Sequence, residues 1–190
     1  MGAIQSPYLA LGLPTGPAGG DLSGSFPNPT VTGSHLATVQ TATVNITGTV
    51  AETIALAGPT IASGGNYAGL CYDFAGAGVV TTTVDTQTVS VNLRLGGVGG
   101  ALLISMNINP DSSATITGAE FSFEGYVEFN TATSVSCKVQ VDSNYFPSSV
   151  NQNTGVVVSN TAAQQLALTL TPSATAEIYA VNSGFWRKAN

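Results

Sequence analysis

From Thr41 onward, apolar and polar residues alternate with a period of two, and turn-forming residues recur about every ten positions. That period puts successive side chains on opposite faces of a strand. The pattern is clearest over Thr86–Leu95, where Val89, Val91, Leu93 and Leu95 share one face while Ser90, Asn92 and Arg94 take the other. Gly96, Gly97, Gly99 and Gly100 then permit a hairpin into Ala101–Asn109, in which Leu102, Ile104, Met106 and Ile108 line up. Thr115–Asn130 predicts a long strand with Phe121, Phe123, Val127 and Phe129 on one face and Glu120, Ser122, Glu124, Tyr126 and Glu128 on the other. Val135, Cys137, Val139 and Val141 alternate in the same way with Ser136, Lys138 and Gln140, so a hairpin would set Lys138 opposite one of the glutamates.

Shorter runs complete the set. Val44 and Ile46 mark a first strand, Thr53–Leu56 a second closed by Gly58-Pro59, and Ala68–Phe74 a third, followed by a loop at Gly76 and Gly78. Asn109–Ser112 reads as a turn, and Asp142–Thr154 as the longest polar connection, exposing Tyr145 and Phe146. Gly155–Ser159, Gln165–Leu170 and Ala176–Trp186 follow as strands. Nine or ten short strands and no convincing helix predict an all-β chain, an antiparallel two-sheet β-sandwich of jelly-roll type over residues 41–190. Residues 1–40 are expected to form an extended N-terminal anchor and connector.

Within that N-terminal part, Tyr8, Leu9, Leu11 and Leu13 stand among Pro7, Pro14 and Pro17. Too many breakers for a helix and too many apolar side chains for a solvated tail predict a docking peptide. Gly12, Gly16, Gly19 and Gly20 break the three-residue register of a collagen triple helix. The stretch Ala18-Gly19-Gly20-Asp21-Leu22-Ser23-Gly24-Ser25-Phe26-Pro27-Asn28-Pro29-Thr30-Val31 is a Gly/Pro-punctuated connector. Pro27 and Pro29 push Phe26 and Asn28 toward extended geometry. Such a segment needs a surface from outside itself to cover Leu22, Phe26 and Val31.

This stretch resembles the "AGGDLSGxYPNPxV" segment of tail-fibre, head-fibre and related virion proteins of bacteriophages, with Phe26 where Tyr is more usual. The resemblance covers 14 of 190 residues. It implies a trimeric component on the outer surface of a capsid or tail, assembled in the bacterial cytoplasm. Leu22, Phe26, Pro27, Pro29 and Val31 would then be shared among three chains. Tyr8, Leu9, Leu11 and Leu13 would dock on a major capsid or tail protein. The alternative keeps the architecture and makes the head a receptor or host-glycan binder through exposed aromatics such as Tyr145, Phe146 or Trp186.

Composition narrows the chemistry. Only 7% of residues are charged, and four cations, Arg94, Lys138, Arg187 and Lys188, against ten carboxylates leave a net charge of −6. No phosphate-neutralising stripe can be built from them, so nucleic acid is not expected as a partner. No apolar run approaches the ~18 residues of a membrane span, and the first thirteen residues lack the basic start and continuous apolar core of a signal peptide. Met1–Ser6 and Asn45-Ile46-Thr47 formally fit myristoylation and glycosylation patterns that a bacterial setting does not use.

Cys71 and Cys137 have no zinc-type spacing and are expected as small buried hydrophobes, with a disulfide left open. The single histidine, His35, sits in the connector, and no nucleophile elbow, phosphate loop or paired-His motif accompanies it. Glu120, Glu124 and Glu128 fall about 13 Å apart along one strand. A glycosidase pair needs about 5–9.5 Å, so a carboxylate from a neighbouring strand would have to complete it. Asp111-Ser112-Ser113 carries no cation-loop motif. No cofactor, no metal and no enzymatic activity are expected.

Overall fold

A computed structural model describes residues 36–82, 87–109, 115–144 and 147–189, together with four two-residue strands between residues 16 and 31. The chain divides into two compact units, residues 1–35 and 36–190. In the first, β1 (Gly16–Pro17) pairs antiparallel with β3 (Ser25–Phe26), and β2 (Leu22–Ser23) with β4 (Thr30–Val31). Leu22, Phe26 and Val31 thus fall on short backbone ladders. Tyr8, Leu9, Leu11, Leu13, Pro27, Pro29 and His35 lie outside the described residues.

The second unit holds eleven strands: β5 (Leu36–Gln40), β6 (Val44–Thr47), β7 (Thr53–Ile61), β8 (Cys71–Thr82), β9 (Val89–Leu95), β10 (Ala101–Ile108), β11 (Ile116–Thr131), β12 (Ser134–Ser143), β13 (Ser149–Val157), β14 (Gln164–Pro172) and β15 (Ile178–Lys188). They form two antiparallel sheets. The smaller has the order β10-β9-β14-β7, and the larger β13-β12-β11-β8-β15, with β5 and β6 sharing the far side of β15. Taking β6 to β11 with β14 and β15, the pairs 6–15, 7–14, 8–11 and 9–10 nest as in one long folded hairpin. Closing contacts 15–8 and 14–9 roll that hairpin into the two sheets of a jelly roll. β12 and β13 extend the larger sheet beyond β11.

The core lies between the sheets. Val91, Leu93, Leu95, Leu166, Leu168 and Leu170 face it from the smaller sheet, and Phe74, Phe121, Phe123, Val127, Phe129, Val135, Cys137 and Val139 from the larger. Cys137 is fully buried, and burial pushes its thiol up to about 11; no disulfide joins it to Cys71.

Several elements depart from the period-two reading for identifiable reasons. β8 runs straight through Gly76 and Gly78, which therefore mark no loop. Phe123 stands directly opposite Gly76 and Phe121 opposite Gly78, and both rings occupy the space a Cβ there would need. β7 likewise continues through Gly58, where a Cβ would meet Trp186 Cε2 at 2.8 Å. Pro59 is tolerated because β7 is an edge strand. A bulge between Leu102 and Ile104 turns Leu102 outward and Leu103 inward, breaking the expected stripe. Leu36–Gln40, assigned above to the connector, is a strand of the head and moves the boundary to residue 35. Trp186 is not an exposed aromatic: it is wholly buried, its ring 4.7 Å from that of Phe74.

Candidate functional surface

The outward positions of the larger sheet gather most of the charge in the head. Because β12, β11, β8 and β15 pair in register, residues far apart in sequence stand in rows across the sheet, neighbours within a row about 4.8 Å apart. One row is Lys138–Tyr126–Asp73–Arg187, the next Gln140–Glu124–Ala75–Phe185, and a third Asp142–Ser122–Ala77–Ser183. Tyr126, not a glutamate, therefore faces Lys138. Small side chains at Ala75, Ala77, Ser122 and Ser183 leave a trough between taller neighbours.

Two depressions open along it. One of about 670 Å³ is bounded by Glu120, Ser122, Asp142, Ser148 and Ser183, and a second of about 330 Å³ by Asp73, Glu124, Tyr126, Lys138, Phe185 and Arg187. Arg187 Nη2 donates to Asp73 Oδ2 at 2.7 Å, and Gln152 Nε2 donates to Tyr126 Oη at 3.3 Å. Gln140 Nε2 donates to Asp142 Oδ2 at 2.9 Å; hydrogen bonds from Ser148 and Gln140 hold the Asp142 carboxyl below its ordinary range. The face carries five carboxylates, Asp73, Glu120, Glu124, Glu128 and Asp142, against Lys138 and Arg187, so 2 − 5 leaves it at −3.

Glu120, Glu124 and Glu128 share the outward face of β11, as their spacing predicts. Two neighbouring-strand carboxylates stand diagonal to Glu124, Asp73 on β8 and Asp142 on β12, where such pairs are about 7–8 Å apart. Asp73 Oδ2 is already engaged in an ion pair with the Arg187 guanidinium. Asp73, Phe185 and Arg187 carried no local sequence signal: Asp73 and Arg187 are 114 residues apart, and only the β8–β15 ladder joins them.

Two further polar constellations are structural. Glu52, in the β6–β7 connection, lies over the outer face of the smaller sheet. Its Oε1 accepts from Arg94 Nε at 2.5 Å, from Asn92 Nδ2 at 3.2 Å and from the Thr169 hydroxyl. Burial opposes its charge, but these donors and the guanidinium outweigh it, and the carboxyl lies below the ordinary range. Arg94 is therefore paired within its own chain. Glu177 is fully buried, accepting from Ser173 Oγ (2.8 Å), the Ala174 amide (3.0 Å) and Tyr179 Oη (2.7 Å). Burial and the Glu177 carboxylate together push the Tyr179 hydroxyl strongly upward.

Among the described residues no group of three or more His, Cys, Asp or Glu is placed to hold a metal ion, and no helix is long and apolar enough to cross a membrane. Tyr145 and Phe146 lie outside the described residues.

No protein-family model and no curated protein matches the chain. Among solved structures it is similar to the marine PL-14 alginate lyase from Aplysia kurodai, at 9% identity and a TM-score of 0.43, covering 77% of this chain and 82% of that one. At that identity and score the likeness does not bear on what this chain does.

Proposed function

We propose that this chain is a structural component of a bacteriophage particle: a homotrimeric fibre, spike or capsid-decoration protein on the outer surface of the capsid or tail. Residues Tyr8, Leu9, Leu11 and Leu13 dock on a major capsid or tail protein, the Ala18–Val31 segment joins three chains, and the jelly roll projects outward without enzymatic activity. The observation that carries this reading is the Ala18–Val31 segment and its resemblance to virion connectors. A chain of −6 net charge with few ions and abundant Thr, Ser and Asn also suits assembly, because little charge has to be desolvated on packing. The test is the mass of the purified full-length protein together with limited proteolysis of the assembled particle. A trimeric mass with residues 1–31 protected is expected. A monomer whose residues 1–31 are cleaved in the particle overturns the reading.

A second reading, in which the head binds a surface glycan of the host, is favoured by the trough on the larger sheet. Phe185 and Tyr126 offer apolar ring faces beside hydrogen-bonding carboxylates, the mixture with which polar ligands are oriented. The net −3 of that face suits a neutral or cationic glycan and repels a polyanion. Glycan-array binding lost on Phe185→Ala would support it, and an array blank for the wild-type protein would remove it.

A further inference from the structure

The charges of the head are distributed unevenly. Residues 95–110 contain no charged residue, and neither do residues 143–176. These two runs contain β10 and β13, and the structure brings those strands together as the seam where one edge of the smaller sheet meets one edge of the larger. Asn151 Nδ2 donates to the Ser105 carbonyl at 2.7 Å and Asn153 Nδ2 to the Leu103 carbonyl at 3.0 Å, so the two strands close that side through side chains rather than a backbone ladder. Around the seam stand exposed apolar side chains: Val98 at 50% exposure, Leu102 at 46%, Val150 at 57% and Val157 at 81%.

This side of the head is unusual in two respects. Edge strands of soluble proteins are ordinarily protected by Lys, Pro or inward charge, and neither β10 nor the eight residues before Val157 in β13 carry any of these. Each molecule also bears −6, and the larger sheet's outer face holds five of the carboxylates, so two copies repel through that face. The seam is where like-charged copies can approach without burying an ion, and depletion of charge with retained apolar and amide groups is the composition of an interface centre.

We infer that the β10–β13 seam is the surface through which one head packs against a second copy of this chain. The inference rests on the homotrimer reading given above and names the face that assembly uses. A partner protein of positive charge would be drawn instead to the acidic trough.

The experiment is native mass spectrometry of the full-length chain across a dilution series, comparing wild type with Val98→Lys/Val157→Lys and with Ile178→Lys, a control at an exposed apolar site on β15 (41% exposed). Lysine lowers the net negative charge, so general repulsion falls in both variants and any loss of assembly comes from the seam. The seam variant is expected to raise the half-dissociation concentration at least tenfold while the control does not. A wild-type trimer from which both variants dissociate alike overturns the seam and leaves the trimer reading standing; a wild-type monomer overturns both. Hydrogen exchange of the wild type above and below its dissociation point gives an independent reading. Amides of residues 98–107 and 149–157 slow on association if the seam is the contact, and equal exchange at both concentrations refutes it.

Discussion

Replacing Gly76 by alanine tests whether the glycines of β8 are there for packing. A Cβ at Gly76 would lie 2.7 Å from Phe123 Cε2, closer still to Cζ of the same ring, and 2.8 Å from the Ser183 carbonyl oxygen. Two neighbours on opposite sides would have to yield, one of them backbone of the adjacent strand β15. Overpacking costs about 1–3 kcal/mol, and about 2–3 kcal/mol where backbone must shift, while removing a glycine from the unfolded chain returns about 0.4–1 kcal/mol, for a net loss of about 1–2.6 kcal/mol. In a domain of this size that lowers Tm by roughly 2–4 °C per kcal/mol. Urea unfolding of wild type, Gly76→Ala, Phe123→Leu and the double variant separates the two clashes. The ring contributes a favourable coupling of about 0.5–1.5 kcal/mol in the double variant, and the Ser183 clash remains. A Gly76→Ala protein as stable as wild type would refute the packing argument and return Gly76 to an ordinary strand position.

Other outcomes follow from the same structure. Leu93→Ala, at a position wholly buried between β10 and β14, is expected to cost about 2–5 kcal/mol in urea unfolding, whereas Val39→Ala, more than half exposed, stays within about 0.5 kcal/mol. Because the Glu52 carboxyl is held below its ordinary range, its stabilisation is fully present above the unfolded value of about 4.3 and is lost as pH falls through the lower folded value. Glu52→Gln therefore flattens the acid limb of the stability profile, and an unchanged limb below pH 4.5 would count against the Arg94–Glu52 pairing. Cys137, buried and with its thiol pushed up to about 11, resists a thiol reagent at pH 8 until the head is unfolded, as peptide mapping of the labelled protein would show.

The strands most legible in the sequence are those whose two faces meet different environments. β9, β11 and β12 each have one apolar face on the core and one polar face outside, and their alternation predicts both the strand and the face. Only Gly155–Val157 of β13 is legible, because Ser-Val-Asn-Gln-Asn-Thr before it has little to bury: as an edge strand at the seam it keeps most positions exposed, so period two leaves no trace there and the stretch reads as a polar connection. In β8, Gly76 and Gly78 signal a turn in the sequence, and only the opposing phenylalanine rings on β11 explain why none forms there. The functional surface divides in the same way. The three glutamates of β11 could be placed on one face from spacing alone, but their companions Asp73, Phe185 and Arg187 come from strands whose adjacency is a property of the jelly roll and not of local sequence.

The place of β15 in the larger sheet bears on how the head is made. It pairs with β8 on one side and with β5 and β6 on the other, and it carries Trp186 into the core. The nested pairing implies an order of closure from the β9–β10 hairpin outward, with the 7–14 and 6–15 pairs, separated by more than a hundred residues, coming last. Contacts this distant in sequence make folding slow. A ribosome-bound chain lacking β15 would present β5, β6 and β8 as open edges, the kind of surface that aggregates. Completion of the larger sheet thus waits on β15, and substitutions in β15 should reduce soluble yield more than their effect on the stability of the finished head would suggest.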